Sequence, residues 1–195
     1  MGQPVVVEGR RARNQAVRRK RVLEAAMELA ADGGYDAVQM RDVAERADVA
    51  LGTLYRYFPS KDQLLVAALG EWATTLERRL KQKPPPGDTP AERVIDVLRR
   101  ASRALEREPR VTGAMVTALS SPDPDAAETK NEVYETLRSI ISGAIDGGRV
   151  ENTDQVVRVL GYVWFAALVS WAGGMAEAGL MAEELEVAAR LLLRP

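Results

Sequence analysis

The spacing of apolar residues constrains this chain more than any other feature. Apolar side chains recur every three or four positions through most of the 195 residues, and no stretch alternates apolar and polar residues as a half-buried strand would. We therefore predict an all-α fold of about nine helices. The length is ample for a hydrophobic core, and 46% hydrophobic with 28% charged residues is ordinary for a globular protein.

Glycine, proline and capping residues divide the chain into helices. The capping-box sequences Ser60–Gln63 and Thr89–Glu92 begin the fourth and fifth helices. Gly33–Gly34 is expected to end the first helix and Asn152 to cap the eighth. The predicted helices cover about residues 18–32, 40–47, 51–58, 61–81, 90–108, 109–119, 125–146, 153–177 and 181–193.

Residues 34–64 contain the most informative pattern. Two short helices flank a three-residue break at residues 48–50, and the first helix offers them a surface to pack on. This is the arrangement of a helix-turn-helix, whose second helix enters the major groove of DNA with its first residues at the base edges. Leu54 and Phe58 are expected to lie in the core instead.

The second short helix and the basic positions around it supply the candidate DNA contacts. Gly52 would let the helix backbone approach DNA closely, and the hydroxyl groups of Thr53 and Tyr57 suit phosphate oxygens. The Tyr55 ring can press on a thymine methyl group, and Arg56 can bind guanine or phosphate. The full set of predicted DNA-binding residues is Arg18, Arg19, Arg41, Leu51, Gly52, Thr53, Tyr55, Arg56, Tyr57 and Lys61.

The net charge of −1 hides an asymmetry between the two ends of the chain. Residues 1–21 carry seven Lys and Arg residues against Glu8 alone, whereas residues 62–195 carry more acidic than basic residues. A basic arm on a mildly acidic body indicates a polyanion-binding end and a separate body. A solvated, disordered tail would fit the charge alone equally well.

The chain contains no cysteine and no histidine. It therefore has no disulfide, no thiolate or imidazole catalysis and no Cys- or His-ligated metal. We expect no metal and no cofactor, and we expect a protein that is not an enzyme. An all-α enzyme that uses pairs of carboxylates stays open as an alternative, as does an adaptor that binds DNA without sequence preference. The first residues are too polar for a signal peptide, so a cytoplasmic location is expected.

The segment GYDAVQMRDVAERADVALGTLYRYFPSKDQLLVAAL, residues 34–69, resembles the DNA-binding segment of the TetR family of bacterial regulators. Within that family the chain is most similar to the KstR-type repressors of actinobacterial sterol catabolism, and residues 18–61 carry the closer likeness. Three positions depart from the wider family pattern. Gln39 replaces a capping Thr or Ser, Asp48 replaces the turn glycine, and Ala50 replaces a serine, so a hydroxyl contact to phosphate is not expected at residue 50. Asp tolerates the left-handed conformation, so we expect the turn to form.

The resemblance implies a ligand-responsive transcription regulator, a repressor that binds a palindromic operator of double-stranded DNA as a homodimer. It implies a flexible basic arm over residues 1–17, a DNA-binding domain over residues 18–64, and an effector-binding and dimerisation domain over residues 65–195. The effector implied is small and lipophilic, an acyl-CoA or a sterol-derived metabolite.

The stretch from Val159 to Ala176 contains eighteen residues without a charge, which is close to the minimum for spanning a membrane. Trp164 and Trp171 lie inside it rather than at its ends, so we expect no membrane insertion. A helix that is apolar all round is better explained by burial on both sides, against the core and against a partner subunit. A second interface stripe is predicted in the last helix at Leu185, Ala188, Ala189 and Leu192.

Large apolar side chains in the body are the candidates for an effector pocket. Met and Trp together suit a bulky apolar ligand, although ordinary core packing explains each position equally well. Arginines of the fifth helix could meet an anionic ligand or face solvent. The predicted pocket residues are Trp72, Leu76, Val97, Leu98, Met115, Leu119, Trp164, Leu168, Trp171 and Met175.

Overall fold

Nine α-helices and one short 3₁₀ turn make up the part of the chain that the computed structural model describes, residues 5–145, 152–177 and 179–194, and this part contains no strand. The all-α prediction is confirmed. The helices are α1 (Val5–Ala37), α2 (Met40–Arg46), α3 (Leu51–Tyr57), α4 (Lys61–Gln82), α5 (Pro90–Glu106), α6 (Pro109–Ser120), α7 (Ala127–Ile145), α8 (Thr153–Ala172) and α9 (Leu180–Leu192), with the 3₁₀ turn at Pro124–Ala126.

Helix α1 begins at Val5, well before the predicted start at residue 18. Residues 5–17 therefore continue the helix, where the sequence led us to expect a flexible arm. The part from residue 10 to residue 16 contains three Arg, two Ala and one Gln, which favour helices. Residues 1–4 of the predicted arm lie outside the described residues. Helical geometry ends near the predicted position, since Gly34 adopts φ 71° and ψ −157°, a conformation that few other residues tolerate.

The two predicted capping boxes form to different extents. At α5 the box is complete: the Glu92 N–H donates to Thr89 Oγ1 (3.3 Å) and the Thr89 N–H donates to Glu92 Oε2 (3.1 Å). The backbone N–H groups of Thr89 and Asp88 hold the pKa of Glu92 below its usual range. At α4 the Gln63 N–H donates to Ser60 Oγ (3.0 Å), but the Gln63 amide turns toward Thr129, so half of the box forms.

The eighth helix begins where it was predicted to begin and ends earlier. Asn152 occupies the N-cap position in the left-handed conformation (φ 60°), and its backbone carbonyl, rather than its side chain, accepts the first helical hydrogen bonds. The helix ends at Ala172 rather than near residue 177, because Gly174 takes φ 73° and reverses the chain.

The core consists of two apolar clusters joined by α4. The first lies between α1, α2, α3, the start of α4 and α6, and the second between the end of α4, α5, α7, α8 and α9. Residues 64–69 of α4 belong to the first cluster, and Leu76 and Leu80 to the second. Trp72 lies between them and packs against both. Helix α4 is therefore the mechanical connection between the helix-turn-helix and the body.

Arg93 of α5 ties the end of α7 to the loop before α5. Its guanidinium donates to the carbonyl oxygens of Ala144 (Nε, 2.9 Å) and Ile145 (Nη2, 3.4 Å) at the last turn of α7. It also donates to the carbonyls of Gly87 (3.3 Å) and Asp88 (3.5 Å). Carbonyls at a helix end have no partner within the helix, so a cation that caps several of them stabilises the terminus.

Replacing Arg93 with Ala should lower the free energy of unfolding by about 1–3 kcal/mol, because charge-assisted bonds to part-buried carbonyls are lost. Chemical denaturation measures the change. The control is Arg78→Ala, at an exposed position of α4. Equal stability of the two variants would show that the Arg93 contacts contribute nothing.

Candidate nucleic-acid interface and effector groove

Helices α2 and α3 form a helix-turn-helix around a left-handed residue. Asp48 lies at φ 51°, and the turn is closed by bonds from its N–H to the Glu45 carbonyl (3.1 Å) and from the Val49 N–H to the Ala44 carbonyl (3.0 Å). The expectation that Asp48 supports the turn is confirmed. Leu54 lies on the inner side of α3, where it is fully buried, as predicted, and it packs the short helix against the first cluster.

The outward face of α3 carries the residues predicted to contact bases. Leu51, Gly52, Tyr55 and Arg56 are exposed, and Thr53 and Tyr57 are half-buried at its sides. Apart from the backbone of α3 and the two adjacent residues, a Cβ added at Gly52 would meet no atom within 4 Å, so no neighbouring part of the protein requires glycine there. Gly52 therefore leaves the outward face of α3 without a side chain near the start of the helix. This is the end of a recognition helix that approaches base edges.

Three of the predicted basic contacts have no carboxylate partner among the described residues. Arg18 on α1 and Arg41 on α2 are exposed, and neither forms an ion pair within the described residues. The Arg56 guanidinium lies 5.9 Å from the Tyr57 ring centroid. These three cations remain available for phosphate.

Lys61 begins α4 and is held in place by Tyr35. Its ammonium nitrogen lies 3.7 Å from the Tyr35 ring centroid and 3.3 Å from the Tyr35 carbonyl oxygen. The Tyr35 hydroxyl donates to Asp62 Oδ1 (2.5 Å), and burial together with this bond raises the pKa of Tyr35 to about 12. The cation is thus fixed where helix N–H groups also favour an anion.

Arg19 is placed differently from its predicted role as a DNA contact. Its Nη1 pairs with Glu71 Oε1 at 2.9 Å, and its guanidinium carbon lies 5.4 Å from the Phe58 ring centroid. It faces α4 and the end of α3. The prediction did not account for Glu71, which is 52 residues away in the sequence.

An open groove of about 1570 Å³ lies between α1, α4, α5 and the proline loop. Its apolar wall includes Leu23, Met27, Trp72, Leu76 and Leu80. Charged side chains surround that wall. Seven are cationic, namely Arg19, Lys20, Arg79, Lys83, Arg100, Arg103 and Arg107, and five are acidic, namely Glu24, Glu28, Glu71, Asp96 and Glu108. We call this feature the α1–α4–α5 groove. The sequence singled out some of these arginines but not the part of α1 that faces them.

Only Trp72 and Leu76 of the predicted pocket residues line this groove. Val97, Leu98, Met115 and Trp164 are buried in the two clusters, and Leu119, Leu168 and Trp171 are partly buried. Met175 is 74% exposed and follows the end of α8, so the prediction that it lines an interior pocket is wrong. The Trp164 indole N–H is buried without a hydrogen-bond partner among the described residues.

Helices α8 and α9 pack against each other, and both carry exposed apolar side chains, which together we call the α8/α9 face. On α8, Tyr162 is 64% exposed and Phe165 37%, with Val159 and Val169 beside them. On α9 the exposed apolar residues are Leu180, Val187 and Leu191. Helix α8 is long and apolar enough to span a membrane, but such a single helix is equally typical of a helix that packs on protein on two sides.

The predicted α9 stripe is wrong. Leu185 and Ala189 are fully buried in the chain's own second cluster, and Ala188 and Leu192 are partly buried against it. Helix α9 packs with this face on α5 and α8, so the opposite face is the one left open. Among the described residues no cluster of Asp and Glu could hold a metal ion.

Two family models match the chain. The model of "Bacterial regulatory proteins, tetR family" covers residues 22–68, and that of "Tetracyclin repressor-like, C-terminal domain" covers residues 87–192. The transcriptional repressor KstR of Rhodococcus jostii is 44% identical over 180 residues, which are 92% of this chain and 84% of that protein. The relatives are named as transcriptional repressors and not as enzymes, which confirms the prediction of a regulator.

Solved structures agree with the sequence relatives. A TetR transcriptional regulator from Rhodococcus sp. RHA1 superposes with a TM-score of 0.85 at 34% identity, covering 93% of this chain and 98% of the other. The repressor FadR of Thermus thermophilus, solved in complex with lauroyl-CoA, superposes with a TM-score of 0.68 at 26% identity, covering 90% and 93%. The chain therefore belongs to the TetR family of transcriptional repressors, and within that family it is of the KstR type.

Proposed function

We propose that this repressor binds a palindromic operator as a homodimer in the cytoplasm and releases it when an acyl-CoA thioester occupies the α1–α4–α5 groove. The observation that carries the effector assignment is the apolar wall of the groove with cations around it. Some of these cations pair with acidic residues of the groove, such as Arg19 with Glu71 and Arg100 with Asp96. A purely apolar effector would leave the other arginines of the groove without an anion, and a purely ionic one would leave the wall without a role.

The operator assignment rests on the exposed face of α3. Leu51 and Tyr55 offer apolar contact to thymine methyl groups, and Arg56 offers a guanine or phosphate contact. Arg18 on α1 and Lys61 at the start of α4 are basic residues outside α3 that suit phosphate contacts. A two-fold dimer would place its two α3 helices about 34–36 Å apart, one turn of DNA, so a palindromic operator follows.

The homodimer assignment rests on the α8/α9 face. Several large exposed apolar side chains on two helices that pack together are typical of an interaction site. A two-fold axis that brings this face onto its own copy would bury both helices in a four-helix interface. The absence of charge on α8 from Val159 to Ala172 then has a physical reason, because a charged residue there would be desolvated.

The effector assignment rests on the composition of the groove. Its Trp and Leu side chains suit an acyl chain or a ring system, whereas Arg79, Arg103 and Arg107 are exposed and form no ion pair among the described residues. Phosphate groups are the anions that arginine binds best. Coenzyme A carries such groups at one end and the acyl chain at the other, and FadR of T. thermophilus binds an effector of this class.

The groove also offers a route to release. One wall belongs to α1, which supports the helix-turn-helix, and the other to α5 of the body. A ligand that bridges these walls in one spacing and not in another shifts the equilibrium between DNA-binding and released states by its differential affinity.

The proposal is tested by measuring operator affinity with and without the effector. Operator fragments are obtained by selecting genomic DNA bound to the purified protein, and binding is followed by fluorescence anisotropy. Stearoyl-CoA should weaken operator binding by at least about tenfold, a coupling of about 1.4 kcal/mol, whereas stearate and free coenzyme A should each do much less.

Matched variants localise the effect to the groove. Arg103→Glu with Arg107→Glu should abolish the response to stearoyl-CoA, and Arg78→Glu, at an exposed position outside the groove, should retain it. An unchanged response in the double variant would place the effector elsewhere. Equal affinity for operator and random DNA would contradict the regulator mechanism itself.

A further inference from the structure

Arg19 lies where the α1–α4–α5 groove meets the end of α3. Its Nη1 is 2.9 Å from Glu71 Oε1, and both residues line the groove. On its other side the guanidinium lies 5.4 Å from the centroid of the Phe58 ring, at the distance of a cation–π contact. One side chain therefore touches a wall residue of the groove and the residue that ends the recognition helix.

The position of α3 depends on few contacts. The helix has seven residues, and Leu54 is its one buried side chain. Phe58 follows it in an extended conformation, donates its N–H to the Leu54 carbonyl (2.9 Å) and is 2% exposed. Leu54 and Phe58 anchor this end of the helix in the first cluster, with the half-buried Tyr57 packed beside them. Because Phe58 is one of these few anchors, we expect a change in what covers its ring to change the orientation of α3.

We propose that Arg19 is a positioning residue: it sets the recognition helix through Phe58 and is itself set by Glu71 in the groove wall. It does not bind DNA phosphate. An anionic group in the groove competes with Glu71 for Arg19 and so draws the guanidinium away from Phe58. This last step rests on the proposed effector, whereas the dependence of α3 on the Arg19–Glu71 pair does not.

The first experiment tests whether Glu71→Gln raises or lowers operator affinity. Glu71→Gln removes one negative charge, and simple electrostatics would raise the affinity for DNA. Loss of the pair should instead lower operator affinity about three- to fivefold without any effector, because both an exposed ion pair and the cation–π contact it orients are weak. The control is Glu24→Gln, which removes the same charge from the groove and breaks the Lys20–Glu24 pair on α1 (3.3 Å), away from Phe58. Its operator affinity should be unchanged or slightly higher.

The second experiment separates positioning from phosphate contact. Arg19→Gln should lower operator affinity and leave the slope of log affinity against log salt concentration unchanged, because no phosphate contact is lost. A slope smaller by about one, the signature of a lost phosphate contact, would overturn the proposal. Adding Glu71→Gln to Arg19→Gln should cause no further loss, since the two residues act through one contact. Thermal melting of each variant checks that the fold is intact.

The results distinguish this proposal from the effector assignment. Operator affinity of Glu71→Gln equal to or above that of the unaltered protein overturns the role of Arg19, as does an equal loss in Glu24→Gln. If the unaltered protein ignores stearoyl-CoA, the effector assignment fails while the comparison of Glu71→Gln with Glu24→Gln stands. If the unaltered protein responds, Arg19→Gln should reduce the fold-change caused by stearoyl-CoA, and an undiminished fold-change would refute the competition step.

Discussion

Phe165→Asp should convert the repressor to monomers and lower its operator affinity by about a hundredfold or more. Phe165 lies on α8 in the middle of the α8/α9 face, with Tyr162 one turn before it and Val169 one turn after it. In a two-fold dimer the new carboxylate would be removed from water among apolar side chains with no cation opposite, at a cost of several kcal/mol for each subunit.

The loss of DNA binding follows from the loss of linkage between two half-sites. In a dimer the second recognition helix binds at the effective concentration set by the first, and this contributes about two to four orders of magnitude in affinity. A monomer retains its own contacts and loses that gain. The variant should therefore show weak binding to full operator and to a single half-site alike.

Sedimentation velocity reports the oligomeric state and fluorescence anisotropy reports operator binding. The matched control is Tyr134→Asp, which places the same charge on an aromatic position of α7 that is 42% exposed, outside the α8/α9 face. It should remain dimeric. A dimeric Phe165→Asp variant would show that another surface joins the subunits.

The sequence predicts local features well, because the atoms that decide them are close in the chain. Gly34 ends the helical geometry of α1 and Asp48 takes the left-handed conformation, as expected, and Thr89 with Glu92 forms the expected capping box. Leu54 is buried because the spacing of apolar residues identifies the inner side of a short helix. These outcomes depend on propensities and hydrogen bonds within a few residues.

Features that depend on tertiary packing could not be predicted in the same way. Periodicity gives α9 an apolar stripe at Leu185 and Ala189, but it does not say whether that stripe meets the chain's own core or a partner. The pair between Arg19 and Glu71 depends on how α1 crosses α4. The groove exists because α1 and α5 stand apart over Trp72, and no pattern in any one helix records that separation.

Gly52→Ala should make the protein more stable and the repressor weaker. Glycine inside a helix costs about 0.5–1 kcal/mol relative to alanine, and outside the backbone of α3 and the two adjacent residues the added methyl group meets no atom within 4 Å. Chemical denaturation should therefore show a gain of that size. Operator affinity should fall by at least about tenfold, roughly 1.4 kcal/mol, because the methyl group occupies space that the DNA surface needs.

A rise in stability together with a fall in operator affinity could not come from a loss of folded protein. Gly143→Ala is the matched control: it lies within α7, also has open space around an added Cβ, and is far from α3 in the chain. It should give the same gain in stability with unchanged operator affinity. If Gly52→Ala binds the operator as well as the unaltered protein does, the start of α3 does not approach DNA closely. The base contacts would then have to come from Tyr55 and Arg56, one turn further along the helix.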